Sequence, residues 1–215
     1  MNITSMLVRL QGALGISNLA NRMVLLPSSQ MSLTPADSLN FLVGYNGSPQ
    51  SQTALDITLW IAYQTRVATS QHVTVHVVYV VDETFQPATF SPQFSSRQAH
   101  ATSASAAQQG ATATCTLTAP APHNLERADR VLWEARSFAA DWRGSLETHL
   151  QVGQLAPSLR QLVETEAATL LVLGCATATH PIVPALGHPF PCPVLGIPAE
   201  LVEPSSTEHA IMTAS

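Results

Sequence analysis

From Val73 to Val81 the chain reads VTVHVVYVV, β-branched at every position except His76 and Tyr79. Side chains branched at Cβ are stiff, crowd a helix and pack well on a pleated surface. With so little polar alternation, the run predicts a strand covered on both faces, as strands of parallel sheets are. A parallel partner needs a crossover connection, and the preceding residues supply one. Asn40–Tyr45 (NFLVGY) is a short apolar run that ends at Asn46-Gly47-Ser48-Pro49, a strand followed by a tight turn. Ser48 suits a helix N-cap and Pro49 the first helical position. Ala54, Leu55, Thr58, Leu59 and Ala62 then share one helical face. Strand, capped helix and strand make a βαβ unit, whose crossover is right-handed.

The rest of the chain extends this pattern. Residues 86–122 break it: Ala, Ser, Thr and Pro fill 25 of these 37 positions, and Arg97 is the only charge. Such a segment cannot supply a core, and it reads as a long disordered insertion, bounded at 82–123. Beyond it, Leu125, Ala128, Leu132, Ala135, Ala139 and Trp142 recur at helical spacing, with Asn124 as the cap and Gly144 as the stop. A weak strand at 145–152, a helix through Leu155, Leu159, Leu162 and Val163, and a strand at 169–174 (TLLVLG) follow. Cys192–Pro198 (CPVLGIP) forms a last short strand. The order predicts an α/β protein with a doubly wound, open, parallel five-stranded sheet. Residues 1–38 form an N-terminal helical extension, residues 39–200 the domain and residues 201–215 a flexible tail. Met6, Leu10, Ala13, Ala20 and Val24 give the extension an apolar stripe that docks on its own domain or on a partner. An amphipathic segment on a membrane is the alternative, with only Arg9 and Arg22 to favour it.

Composition removes several functions. All nine basic residues are arginine. Without lysine there is no Gly-Lys-Ser/Thr phosphate loop, no Schiff base and no kinase-type lysine. A net charge of −5 argues against nucleic-acid binding. The apolar runs are too short for a transmembrane segment, and no signal-peptide layout is present. Three cysteines, Cys115, Cys175 and Cys192, at no framework spacing point to a reducing, cytoplasmic location. Cys175, His180, His188 and Cys192 are zinc-ligand types, but their spacing matches no structural zinc pattern, so no metal is expected. His72 and His76 share a strand face and read as covered or edge histidines. Ser48 lacks the flanking glycines of a nucleophile elbow. His149 and Asp141 stand isolated, leaving no catalytic residues and no enzyme.

Five pieces in order carry a family resemblance. The first strand ends in Asn46-Gly47-Ser48-Pro49-Gln50-Ser51, the second in Val80-Val81-Asp82, and Gly153 follows the third. The fourth ends in Leu173-Gly174, and the fifth contains Cys192-Pro193-Val194-Leu195. Together they resemble the universal stress protein family over residues 39–198, the insertion excluded. The resemblance implies a Rossmann-like sheet of the adenine nucleotide alpha hydrolase-like type and a homodimer paired through the last strand. ATP-binding members use Gly, two residues, Gly, nine residues, then Gly and Ser or Thr. Glycines let backbone approach the phosphates, and helix-terminal amides hold them. Here the spacing persists from Gly174 while Thr177 replaces the second glycine and His188 follows Gly187 in place of the hydroxyl. Asn46 stands for the family's acid. Family members carry a helix after the motif's last glycine; here only His188–Cys192 separate Gly187 from Pro193, and Pro181, Pro184, Pro189, Pro191 and Pro193 argue against one.

The resemblance therefore implies a non-enzymatic stress-response regulator that acts through protein contacts and has a vestigial nucleotide site. Any retained nucleotide site would use Gly44, Asn46, Val80, Gly174, Thr177, Gly187 and His188. No cofactor is expected beyond possible binding of AMP or ATP. Two alternatives remain: a sensor of AMP, ATP or a cyclic nucleotide, and an architectural subunit held to a larger complex by the N-terminal extension.

Overall fold

The computed structural model describes residues 3–27, 38–82, 122–142 and 144–202. The body of the Ala/Thr-rich insertion, Cys115, Arg143 and the tail beyond Val202 lie outside the described residues. Helices α1 (Ile3–Leu14) and α2 (Leu19–Met23) lead into strand β1 (Val24–Leu26). There follow β2 (Ser38–Gly44), α3 (Pro49–Thr69), β3 (His72–Val81), α4 (Pro122–Phe138), β4 (Ser145–Val152) and α5 (Leu155–Thr165). The chain continues through β5 (Leu170–Leu173), α6 (Ile182–Leu186), β6 (Val194–Gly196) and a 3₁₀ turn at Ala199–Leu201.

Strand order is β1-β6-β5-β2-β3-β4. All neighbours pair in parallel except β1, which runs antiparallel to β6. The α/β doubly wound class is as read, and the sheet has one strand more than expected. Alternation along β2 and β3 sorts the core into two layers. Phe41, Val43, Val73, Val75 and Val77 pack with α1 to α4, while Leu42 and Val78 pack with α5 and α6.

Local chemistry explains the crossover helix. Ser48 holds extended backbone and its side chain accepts the amide of Ser51 at 3.2 Å, with Pro49 at the first helical position. At the far end Ser70 takes a left-handed conformation, φ 55°, and its amide donates to the Arg66 carbonyl. Two other readings need correction. Asn124 is not a cap, because α4 already begins at Pro122. The stretch between the last two strands, read as a proline-broken loop, holds the short helix α6: Pro181 precedes it and Pro184 sits in its first turn, where no intrahelical donor is required. After Gly187 no helix resumes before β6.

The extension belongs to the fold. Leu7, Leu19 and Met23 are fully buried. Val24 pairs with Leu195, and Leu26 with Val194. Strand β6 thus lies between β5 and β1, and pairing two chains through it, as expected above, would first require β1 to leave. An ion pair at 2.5 Å between Arg22 and Glu200 joins α2 to the 3₁₀ turn. Both partners are about half exposed, so the pair itself stabilises little; the buried leucines and methionine matter more. Deleting residues 1–26 should lower the melting temperature by at least about 5 °C. It should also increase apparent mass in light scattering, as β6 seeks another edge. An unchanged melting point and mass would show that β1 is dispensable.

Candidate functional site

Parallel register gathers the expected ligand positions at the carboxyl ends of three adjacent strands. Gly44 closes β2, opposite Val78 of β3 and Leu173 of β5. Val80 lies two residues further along β3, and Gly174 follows β5 directly. Ligands of open α/β sheets bind at such a crevice. The Tyr45 amide donates to the Val78 carbonyl at 2.9 Å, continuing the ladder past Gly44. Asn46 is exposed and turns the chain: its Oδ1 accepts the Ser48 amide at 3.0 Å, and its own amide donates to Ser51 Oγ at 3.3 Å.

Gly174 has a packing reason to be glycine. A Cβ there would lie 2.7 Å from the Ser51 nitrogen and 2.9 Å from the Gln50 carbonyl carbon, inside the first turn of α3. Its place in a phosphate motif and its place against that helix cannot be separated by sequence.

The stretch from Thr177 to Pro193 makes hydrogen bonds within itself. The His180 amide donates to the Thr177 carbonyl, and the Gly187 amide to the Pro184 carbonyl, both at 3.1 Å. Thr177 Oγ1 meets Thr179 Oγ1 at 3.0 Å. Arg160 anchors this stretch from α5. Its guanidinium donates to the carbonyls of Leu186 at 2.5 Å and Pro189 at 3.1 Å, with Gly187 further off at 3.4 Å. It also lies over the Phe190 ring, 5.0 Å from the centroid. His188 is exposed.

Cys175 and Cys192 are buried and free. Burial pushes the Cys175 thiol up to about 11 and the Cys192 thiol up to about 12, so both stay protonated near neutrality. They are not gathered with His180 and His188 into a metal-sized group. Among the described residues that property belongs to His76, His149 and Glu166, whose ligand atoms lie within 4.8 Å of one another.

Sequence reasoning missed this second cluster. His149 is not isolated: its Nε2 lies 2.9 Å from Nδ1 of His76. The β3–β4 register sets His76 opposite Glu147 and Val78 opposite His149, so both imidazoles share the α5 side. His76 is 3% exposed, and Nε2 of its ring has no partner among the described residues. Burial, then the neighbouring His149, hold His76 below the ordinary imidazole range against the opposite pull of Glu166 and Glu147. Strand alternation was the available signal, and it becomes readable only once the β3–β4 register is known.

Elsewhere, a cavity of about 210 Å³ lies between α1 and α3, lined by Leu10, Asp56, Ile57, Trp60 and Leu201 among others. No helix among the described residues is long and apolar enough to cross a membrane.

The sheet and its strand-end crevice define a doubly wound α/β protein. Within that class the chain belongs to the universal stress protein family, whose model, "Universal stress protein family", matches residues 39–182. Similar solved structures include a universal stress family protein from Burkholderia pseudomallei, at 19% identity, covering 76% of this chain and 98% of that one, TM-score 0.46. Another is the Archaeoglobus fulgidus universal stress protein in complex with dAMP, at 16% identity, 73% and 97% coverage and TM-score 0.45. A third is an Arabidopsis thaliana family protein with AMP bound, at 13% identity, 78% and 97% coverage and TM-score 0.45. A search of curated protein sequences gave no match.

Two measurements check the crevice chemistry. Gly174→Ala should destabilise the fold by roughly 1–3 kcal/mol in urea unfolding, through displacement of α3; an unchanged midpoint would refute the packing role. In a Cys115→Ser background, the two remaining thiols should resist a disulfide reagent near neutral pH until the chain is unfolded. Reaction at the rate of a free thiol would mean that they are not protonated and enclosed.

Proposed function

We propose that the chain is a non-enzymatic regulator of universal stress type, acting in the cytoplasm through protein contact, with the triphosphate half of its nucleotide site lost. One observation supports this reading: the amide of Gly187, the glycine at the motif's phosphate-binding position by resemblance, already donates to the Pro184 carbonyl. Around it, five prolines between 181 and 193 have no N–H to offer, and Arg160 is engaged by the carbonyls of the same stretch. α6 has five residues, too short for a substantial dipole at its N-terminus. For a contact surface, α4 turns Trp133 outward at 66% exposure, unusual for so large an apolar side chain.

A smaller adenine nucleotide is the second reading, favoured by the convergence of Gly44, Val80 and Gly174 at adjacent strand ends. AMP or a cyclic nucleotide needs fewer phosphate donors than ATP, and relatives hold dAMP and AMP.

Calorimetric titration of the full chain with ATP, AMP and cyclic AMP separates the two. The proposal expects no saturable ATP binding tighter than about 100 μM, and no thermal stabilisation by ATP at millimolar concentration. Tight ATP binding that is lost in Asn46→Ala would overturn it. Tight AMP binding lost in the same variant, with ATP inactive, would establish the second reading.

A further inference from the structure

We propose that His76, His149 and Glu166 form a binding site for a divalent cation of the zinc class, distinct from the strand-end crevice. The site lies on β3, four residues before Val80. At a rise of about 3.3 Å per residue, that places His76 roughly 13 Å along the strand from Val80, while His149 pairs opposite Val78, in line with Gly44. It does not depend on the nucleotide reading.

The donor set fits the ion. Two imidazoles and one carboxylate are ligands zinc takes with an open fourth position. Imidazole nitrogen favours zinc and its transition-metal neighbours over magnesium or calcium, which take oxygen. Two nitrogens bound to a tetrahedral zinc at about 2.0–2.1 Å lie about 3.3 Å apart. The observed 2.9 Å between His76 Nδ1 and His149 Nε2 therefore needs only a few tenths of an ångström of opening. At that separation the two nitrogens are within hydrogen-bond distance of each other.

Each ligand is held by backbone that predates any ion. The imidazoles stand on paired strands whose register runs from Thr74–Ser145 to Val81–Val152. Glu166 closes α5, with its amide on the Leu162 carbonyl at 2.9 Å. Its own carbonyl accepts Asn40 Nδ2 at 2.6 Å, fixing the turn between α5 and β5 against the start of β2. Access comes from β4, the outer strand on this side. There Glu147 is 60% exposed, with its carboxylate 3.8 Å from His76 Nδ1, placed to serve as a fourth ligand or to border a water. A bound ion would join edge strand β4 to the end of α5, so its occupancy should stabilise that side of the sheet.

The test is to strip the full-length chain with a chelator and titrate it with CoCl2 near neutral pH, following visible absorption, and with ZnCl2 by calorimetry. The expected result is one ion per chain, tetrahedral cobalt bands displaced by zinc but not by magnesium, and a raised melting temperature with zinc. His149→Ala and Glu166→Gln should each weaken binding more than about tenfold, while His180→Ala and His188→Ala leave it unchanged. His149 and Glu166 are only partly buried. Circular dichroism checks folding, and Glu166→Gln alone decides the matter if His149→Ala does not fold. Absence of saturable uptake, or uptake of equal affinity in His149→Ala and Glu166→Gln, would overturn the proposal.

Discussion

Strand β2 has to be satisfied on four sides at once, and the rest of the molecule is arranged around that requirement. It pairs with β3 along seven residues and with β5 along four. Phe41 and Val43 face one helical layer and Leu42 the other. A backbone enclosed in this way has no water to fall back on, so each N–H and C=O needs a neighbouring strand. That need forces parallel crossovers, and the crossovers place every strand-to-helix turn at the same end of the sheet. The crevice at Gly44, Val80 and Gly174 is a product of this constraint before it is a ligand site.

The two sides of the sheet meet the edge problem differently. At one side β6 is only three residues long and buried, and it is covered by β1 from the chain's own N-terminus. At the other side β4 alternates: Glu147, His149 and Gln151 face the α5 side, while Leu146 faces the core of the opposite layer. Polar and charged side chains on an outer strand discourage association with another sheet. On β4 they also include the imidazole that reaches His76, so edge protection and ligand chemistry draw on the same residues.

Features governed by neighbours in sequence were legible in it. The β-branched run at 73–81 became β3, and Ser48-Pro49 opened α3 with the cap bond that the residue types imply. Features governed by distant pairing were not. Val24–Leu26 carries a helix-like apolar spacing, and only its partner Leu195 makes it a strand. His76 and His149 stand 73 positions apart and meet through register alone. The prolines near α6 misled for another reason, since their effect depends on position within a turn: Pro181 and Pro184 fall where a helix lacks donors anyway. Gly174 shows the remaining limit, because a motif glycine and a packing glycine are the same letter.

The turns at the strand ends and the polar cluster on β3 and β4 are separable because the sheet is directional. Turns at the carboxyl ends can vary without altering the ladder; here that stretch carries prolines, and Arg160 donates to its carbonyls at 186 and 189. A cluster in the middle of β3 has no such freedom. His76 is enclosed at 3% exposure, and any change there must still fit between β2, β4 and α5. An imidazole with a ring nitrogen unpaired among the described residues opposes stability at such a place, since valine would fit the surrounding run and leave no polar atom unsatisfied. Positions that break a local rule without local compensation are where function is to be sought. In this chain that criterion selects His76 on β3, away from the crevice where the fold alone would direct attention.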